Sequence, residues 1–129
     1  MCFVYEVIDN NEKVEPHSWE LVKERILRLP KRNRDTLLLV GSDGQMTIAF
    51  AENEGYYIST FGSGELEEWL AVDESRPNDQ IKVSLAGEET DLPKNILVSE
   101  KVAMDVAKLF YFEGKRSRSH KWMKSIDLM

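Results

Sequence analysis

The spacing of apolar positions changes several times along the chain, and each change predicts an element. Residues 2–8, CFVYEVI, alternate loosely and are β-branched and aromatic, which predicts a strand. The stretch DNNEKVEP that follows reads as polar loop. Ser18 then stands where an N-cap belongs, with Glu20 in the first turn. Trp19, Val22, Ile26 and Leu29 recur at helical spacing up to Pro30. Lys23, Glu24, Arg25 and Arg28 fall on the opposite side, the pattern of a solvated face. The run TLLLVGSDGQMTIAFAE is two strands about a turn with Asp-Gly chemistry. A second turn, NEG, leads into YYISTF, so residues 36–61 predict a three-stranded meander.

The next stretch, GSGELEEWLAV, fits two templates. Leu66, Trp69 and Leu70 can share a helical face, or Leu66–Val72 can be a strand, and the neighbouring strands favour the second. QIKVSLAG alternates with Ile81, Val83 and Leu85 on one face, and EETDLP is a short extended piece stopped by Pro93. A second helix is capped by Ser99, with Glu100 at its positive end. Its apolar stripe is Val102, Val106, Leu109 and Phe110, with Ala103 and Ala107 allowing close approach. Gly114 is placed to close it in a left-handed C-cap, and Lys115 and Arg116 answer the negative end of its dipole. Trp122 and Met123 belong to a short terminal strand or docking segment. The sum is an α+β domain over residues 1–129, with one mainly antiparallel β-sheet of about five to seven strands packed against two α-helices.

Composition narrows the class. At 129 residues, 42% hydrophobic and 31% charged, the chain suits one globular domain. Its opening residues lack the basic start of a signal peptide, and no apolar run approaches the ~18 residues of a membrane span, so the expected location is cytoplasmic. Charge is segregated rather than mixed. Residues 1–42 carry seven acids and seven bases, and residues 43–91 carry twelve acids against Arg76 and Lys82 alone. Residues 92–129 carry four acids and eight bases, within an overall −6. An acidic centre repels phosphate and attracts basic partners, so nucleic acid is disfavoured as the partner of the whole domain.

Chemistry-bearing patterns are sparse. His17 and His120 lie far apart in sequence with no nucleophile or further ligand beside them, and both read as surface residues. Cys2 reads as a small apolar residue, and no Cys/His set has zinc-ligand spacing, so neither a metal nor another cofactor is expected. GSDG and GSG lack the spacing and the following Lys-Ser/Thr of a phosphate cradle. The pairs Glu67/Glu68, Asp73/Glu74 and Glu88/Glu89 sit among turn residues, not in an evident low-dielectric pocket, so no catalytic residues are assigned and no enzyme is expected. FYFEGKRSRSHKW, residues 110–122, mixes aromatics with bases in the manner of a nucleic-acid motif. Half of it is accounted for by a core Phe110, a capping Gly114 and cations at a helix end.

The stretch from IKVSLAG through EETDLPKNILVS and the amphipathic EKVAMDVAKLFYFEG to the tryptophan eight residues past its glycine resembles the Imm1 family of immunity proteins from bacterial polymorphic-toxin systems. The matching positions are Gly87, Pro93, Val98, Ala103, Ala107, Phe110 or Phe112, Gly114 and Trp122, all of core or turn type. The resemblance covers residues ~36–124, with specific residues only in ~81–122. The earlier part agrees in order only, a helix and then the strands LLLV, MTIAFA and YYISTF, and GSGELEEWLAV is more charged than expected of a strand of that family. The resemblance implies a protein that binds a cognate secreted toxin and blocks it. Many partners of such proteins resemble nucleic-acid deaminases, whose active sites need positive charge around them. An acidic inhibitor suits such a mouth. On this reading the expected toxin-binding residues are Glu65, Glu67, Glu68, Asp73 and Glu74 around Trp69 as an aromatic anchor, with Trp69 as plain core the competing reading. Two other classes remain. A nucleic-acid-binding regulator would use the basic tail, and a small enzyme or ligand sensor would have a deep apolar pocket.

Overall fold

A computed structural model describes residues 2–32, 35–42, 44–61 and 67–125. Ten strands and two helices follow in the order β1 (Val4–Asp9), β2 (Glu12–Val14), α1 (Trp19–Arg28), β3 (Thr36–Gly41), β4 (Gln45–Ala51), β5 (Gly55–Phe61), β6 (Trp69–Val72), β7 (Gln80–Leu85), β8 (Glu88–Pro93), β9 (Leu97–Val98), α2 (Glu100–Glu113) and β10 (Lys121–Lys124). All strands pair antiparallel in one sheet whose main path runs β10-β6-β5-β4-β3-β1-β2. The α+β class and the single antiparallel sheet agree with the sequence pattern. The strand count exceeds five to seven, because pieces of two or three residues pair as well.

The clearest example is DNNEKVEP, expected as loop. Asn10 and Asn11 take φ of 51° and 68°, conformations that asparagine tolerates better than most residues, and turn the chain into β2. Val14 thereby pairs with Val7. The two-residue β9 is too short to show a period in the sequence. It pairs with Tyr56 and Tyr57 of β5, while β6 takes Ser59 and Thr60 farther along the same edge. Gly55 makes that crowding possible, since a Cβ there would meet the Val98 carbonyl oxygen at 2.6 Å.

Both helices cover one face of the sheet. Val22 and Ile26 of α1 and Ala103, Val106, Ala107, Phe110 and Tyr111 of α2 pack on Val7, Leu37, Leu39, Met46, Ile48 and Ile58. The stripe of α2 is turned slightly from the expected one, so the two alanines and Tyr111 are buried while Val102 and Leu109 are half-exposed. Both N-caps form as their serines predict: Leu21 N donates to Ser18 Oγ and Val102 N to Ser99 Oγ. Gly114 closes α2 at φ 68°, its N–H bonded to the Phe110 carbonyl at 2.8 Å. A residue shift in β1 between Val4 and Glu6 returns Val4 to the helix side along with Val7.

The β7–β8 hairpin stands off the main path. It joins the sheet by one bridge, Leu85 to Ala51, and by a small apolar cluster of Val83, Ala51 and Leu97 with Ile81, Leu85, Leu92 and Tyr57. Arg76 holds the loop before it. One guanidinium nitrogen donates to the carbonyls of Glu54 and Leu97 at 2.8 Å each, and another meets Glu54 Oε1 at 2.6 Å.

Candidate protein-binding surface

Glu67, Glu68, Asp73 and Glu74, four of the acids expected to bind a partner, flank β6, whose own residues alternate between the two faces of the sheet. Trp69 pairs with Thr60 and Lys124, and Ala71 lies on the same helix-side face. Leu70 pairs with Ser59 and Met123 and lies on the opposite face. Glu68 precedes that residue by two positions and raises the Tyr57 hydroxyl pKa, second to the effect of burial. Glu65 lies outside the described residues.

Strand β10 brings the basic tail against this acidic segment. Lys124 Nζ stands 3.4 Å from Glu67 and Lys121 Nζ stands 3.6 Å from Glu74. Both pairs are solvent-exposed, so each contributes little to stability, on the order of 0–1 kcal/mol. Their consequence is electrostatic: two of the expected acids are already neutralised within the chain. Asp73 is occupied differently, its Oδ1 accepting from Ser75 N at 2.9 Å and Ser75 Oγ at 2.6 Å in a local turn. Glu68 has no cation partner among the described residues.

Trp69 is half-buried. The Arg116 guanidinium lies 4.8 Å from its ring centroid and Lys124 Nζ lies 5.6 Å away. Arg116 is thus drawn to a ring, where the sequence suggested a helix end. Three more residues of FYFEGKRSRSHKW are engaged within the chain. Lys115 reaches Glu113 at 4.0 Å, His120 Nε2 lies 3.6 Å from Asp105, and Trp122 Nε1 donates to the Ser117 carbonyl at 2.9 Å.

The positions carrying the family resemblance occupy structural places. Gly87 shares the β7–β8 turn with Ala86, both at positive φ, and Pro93 ends β8. Phe110 is core, Gly114 is the cap of α2, and Trp122 packs against the main core from β10. Phe112, the alternative to Phe110, is 42% exposed.

Two further groupings leave no local signal in the sequence. Asp9, buried at the end of β1, accepts from Arg25 at 2.6 Å and from Arg32 at 3.3 Å. Arg25 is therefore not part of a solvated face. These three residues border a polar cleft of about 340 Å³ that also includes Glu12, Lys13 and Glu15. The second grouping joins the chain ends: His17 Nδ1 and the Tyr111 hydroxyl are 2.8 Å apart, and Tyr111 has its pKa pushed up to about 12 by burial first and by the Cys2 thiol next. The Cys2 thiol donates to the Val4 carbonyl.

Among the described residues no group of three or more His, Cys, Asp and Glu is arranged to hold a metal ion, and no helix is long and apolar enough to cross a membrane. Compared with known proteins, the chain matches no protein-family model and no curated protein sequence.

Proposed function

We propose that the protein is a binding protein of the immunity class, which neutralises a cognate secreted toxin by covering a positively charged active-site mouth with an acidic surface. The observation that carries this reading is the imbalance of charge left after folding. The basic tail is largely engaged within the chain, whereas Asp79, Glu88 and Asp91 are exposed and Glu68 half-exposed, with no cation partner for any of them among the described residues. Uncompensated carboxylates accelerate encounter with a basic partner and select against acidic ones. Trp69, half-buried next to Glu68, supplies an aromatic body, the residue type on which interface energy concentrates. A nucleic-acid deaminase is the partner chemistry that the family resemblance suggests.

The basic-tail alternative draws less support, because Lys115, Lys121, Lys124 and His120 each face a carboxylate. The test is protection in cells. The C-terminal domain of whatever protein the gene immediately upstream encodes is induced with and without this chain. Growth arrest relieved by the chain supports the reading, and arrest that the chain leaves unchanged removes it.

A further inference from the structure

We propose that the outer edge of β8 is a docking edge for an extended basic segment of the partner protein, which adds to the β7–β8 hairpin as a third strand. The inference rests on the toxin-binding reading and deepens it by naming the surface and the chemistry of the segment.

Strand β8 pairs only with β7 among the described residues, so its other side carries unpaired backbone groups. The register identifies them. Ala86 and Gly87 form a two-residue turn, so the flanking pair Leu85/Glu88 is the hydrogen-bonded kind, and Val83/Thr90 and Ile81/Leu92 follow it. Ser84/Glu89 and Lys82/Asp91 are the alternate pairs, whose N–H and C=O groups point away from the partner strand. Ser84 confirms the assignment on the β7 side, since its carbonyl turns outward to accept from Glu52 N. On the β8 side the outward groups belong to Glu89 and Asp91. Pro93 occupies the next outward position, where it has no N–H to offer and ends the free edge.

The side chains specify what fits there. Glu89 and Asp91 share the polar face of the hairpin with Lys82 and Ser84, and are separated by roughly 7 Å, two residues of strand. Lys82 reaches Glu89 at 3.4 Å, while Asp91 has no cation partner among the described residues. Thr90 and Leu92 face the other way, toward the small cluster containing Ile81 and Val83. A strand laid along this edge satisfies both demands if it alternates cations with apolar residues. Strand addition of this kind draws affinity from main-chain hydrogen bonds and specificity from alternate side chains.

The probe is a synthetic peptide of alternating lysine and valine, added to the full chain while amide exchange is followed residue by residue. The N–H groups of Glu89 and Asp91 should slow at least tenfold on saturation, with Thr90 and Leu92, already in the ladder, unchanged. Asp91→Pro removes one outward N–H and none from the β7 ladder, and should weaken the peptide at least tenfold. Asp91→Asn keeps the N–H and should weaken it less and flatten its salt dependence. No slowing at Glu89 and Asp91, or slowing at β2 or β10 instead, overturns the proposal. A captured toxin domain that leaves both amides fast also overturns it and leaves the toxin-binding reading standing. Protection by the peptide when the chain relieves no toxicity upholds the edge and removes that reading.

Discussion

The Arg116 guanidinium sits 4.8 Å from the centroid of the Trp69 ring, so the basic tail and the acidic segment meet through an aromatic face as well as through the β6–β10 ladder. A cation over an indole contributes about 0.5–1 kcal/mol at an exposed site. Arg116→Ala and Trp69→Ala should therefore be non-additive by about that amount in a double-mutant cycle read by urea unfolding. Additive losses would show that the two side chains are neighbours without coupling.

Gly114 should resist substitution. Its φ of 68° costs an L-residue about 1–2 kcal/mol, and a Cβ there would meet the Phe3 ring at 2.5 Å. Gly114→Ala is expected to lower stability by about 2 kcal/mol. Gly114→Asn should cost less, because asparagine enters this region more readily. Chemical denaturation of the pair checks both the size and the order.

Arg76 joins the β4–β5 turn, β9 and its own loop through three hydrogen bonds. Removing it strips a charged donor from two carbonyls and leaves Glu54 without its cation, so Arg76→Ala should cost about 2–3 kcal/mol. Arg76→Lys should recover only part of this, because an ammonium cannot reproduce the forked geometry. Thermal unfolding of the two variants tests the ranking.

Alkaline pH should destabilise the fold through two tyrosines. Tyr56 is buried with its hydroxyl donating to the Ile26 carbonyl, and burial pushes its pKa up to about 12; Tyr111 is raised to about 12 as well. The folded state thus prefers the neutral phenols, whose ordinary pKa is 10.0. This stability is fully present below pH 10 and is lost as pH rises from 10 to 12, at up to about 1.4 kcal/mol per pH unit for each group. Tyr56→Phe should reduce that slope, as measured by denaturation at pH 9, 10 and 11.

Residues with strong local signals were legible in the sequence. Ser18, Ser99 and Gly114 mark helix ends through their own chemistry, and the meander from residue 36 to 61 follows from alternation and two turns. The short strands were not, because Glu12–Val14 and Leu97–Val98 have too few residues for a period and are strands only through their neighbours. Arg25 shows the same limit within a helix, since its ion pair depends on Asp9 arriving from β1. Segregated charge was visible in the sequence. That Lys121 and Lys124 would cancel Glu74 and Glu67 required the β6–β10 register. Once those pairs are set aside, Glu68 beside β6 and Asp79, Glu88 and Asp91 at the β7–β8 hairpin have no cation partner among the described residues.

The most direct test of the central claim is co-purification. The tagged chain is expressed from its own locus together with the gene immediately upstream, and the eluate is identified and weighed. The account predicts a one-to-one complex with the C-terminal domain of a large secreted protein, loosened by added salt. A chain that elutes alone, or with RNA, contradicts it.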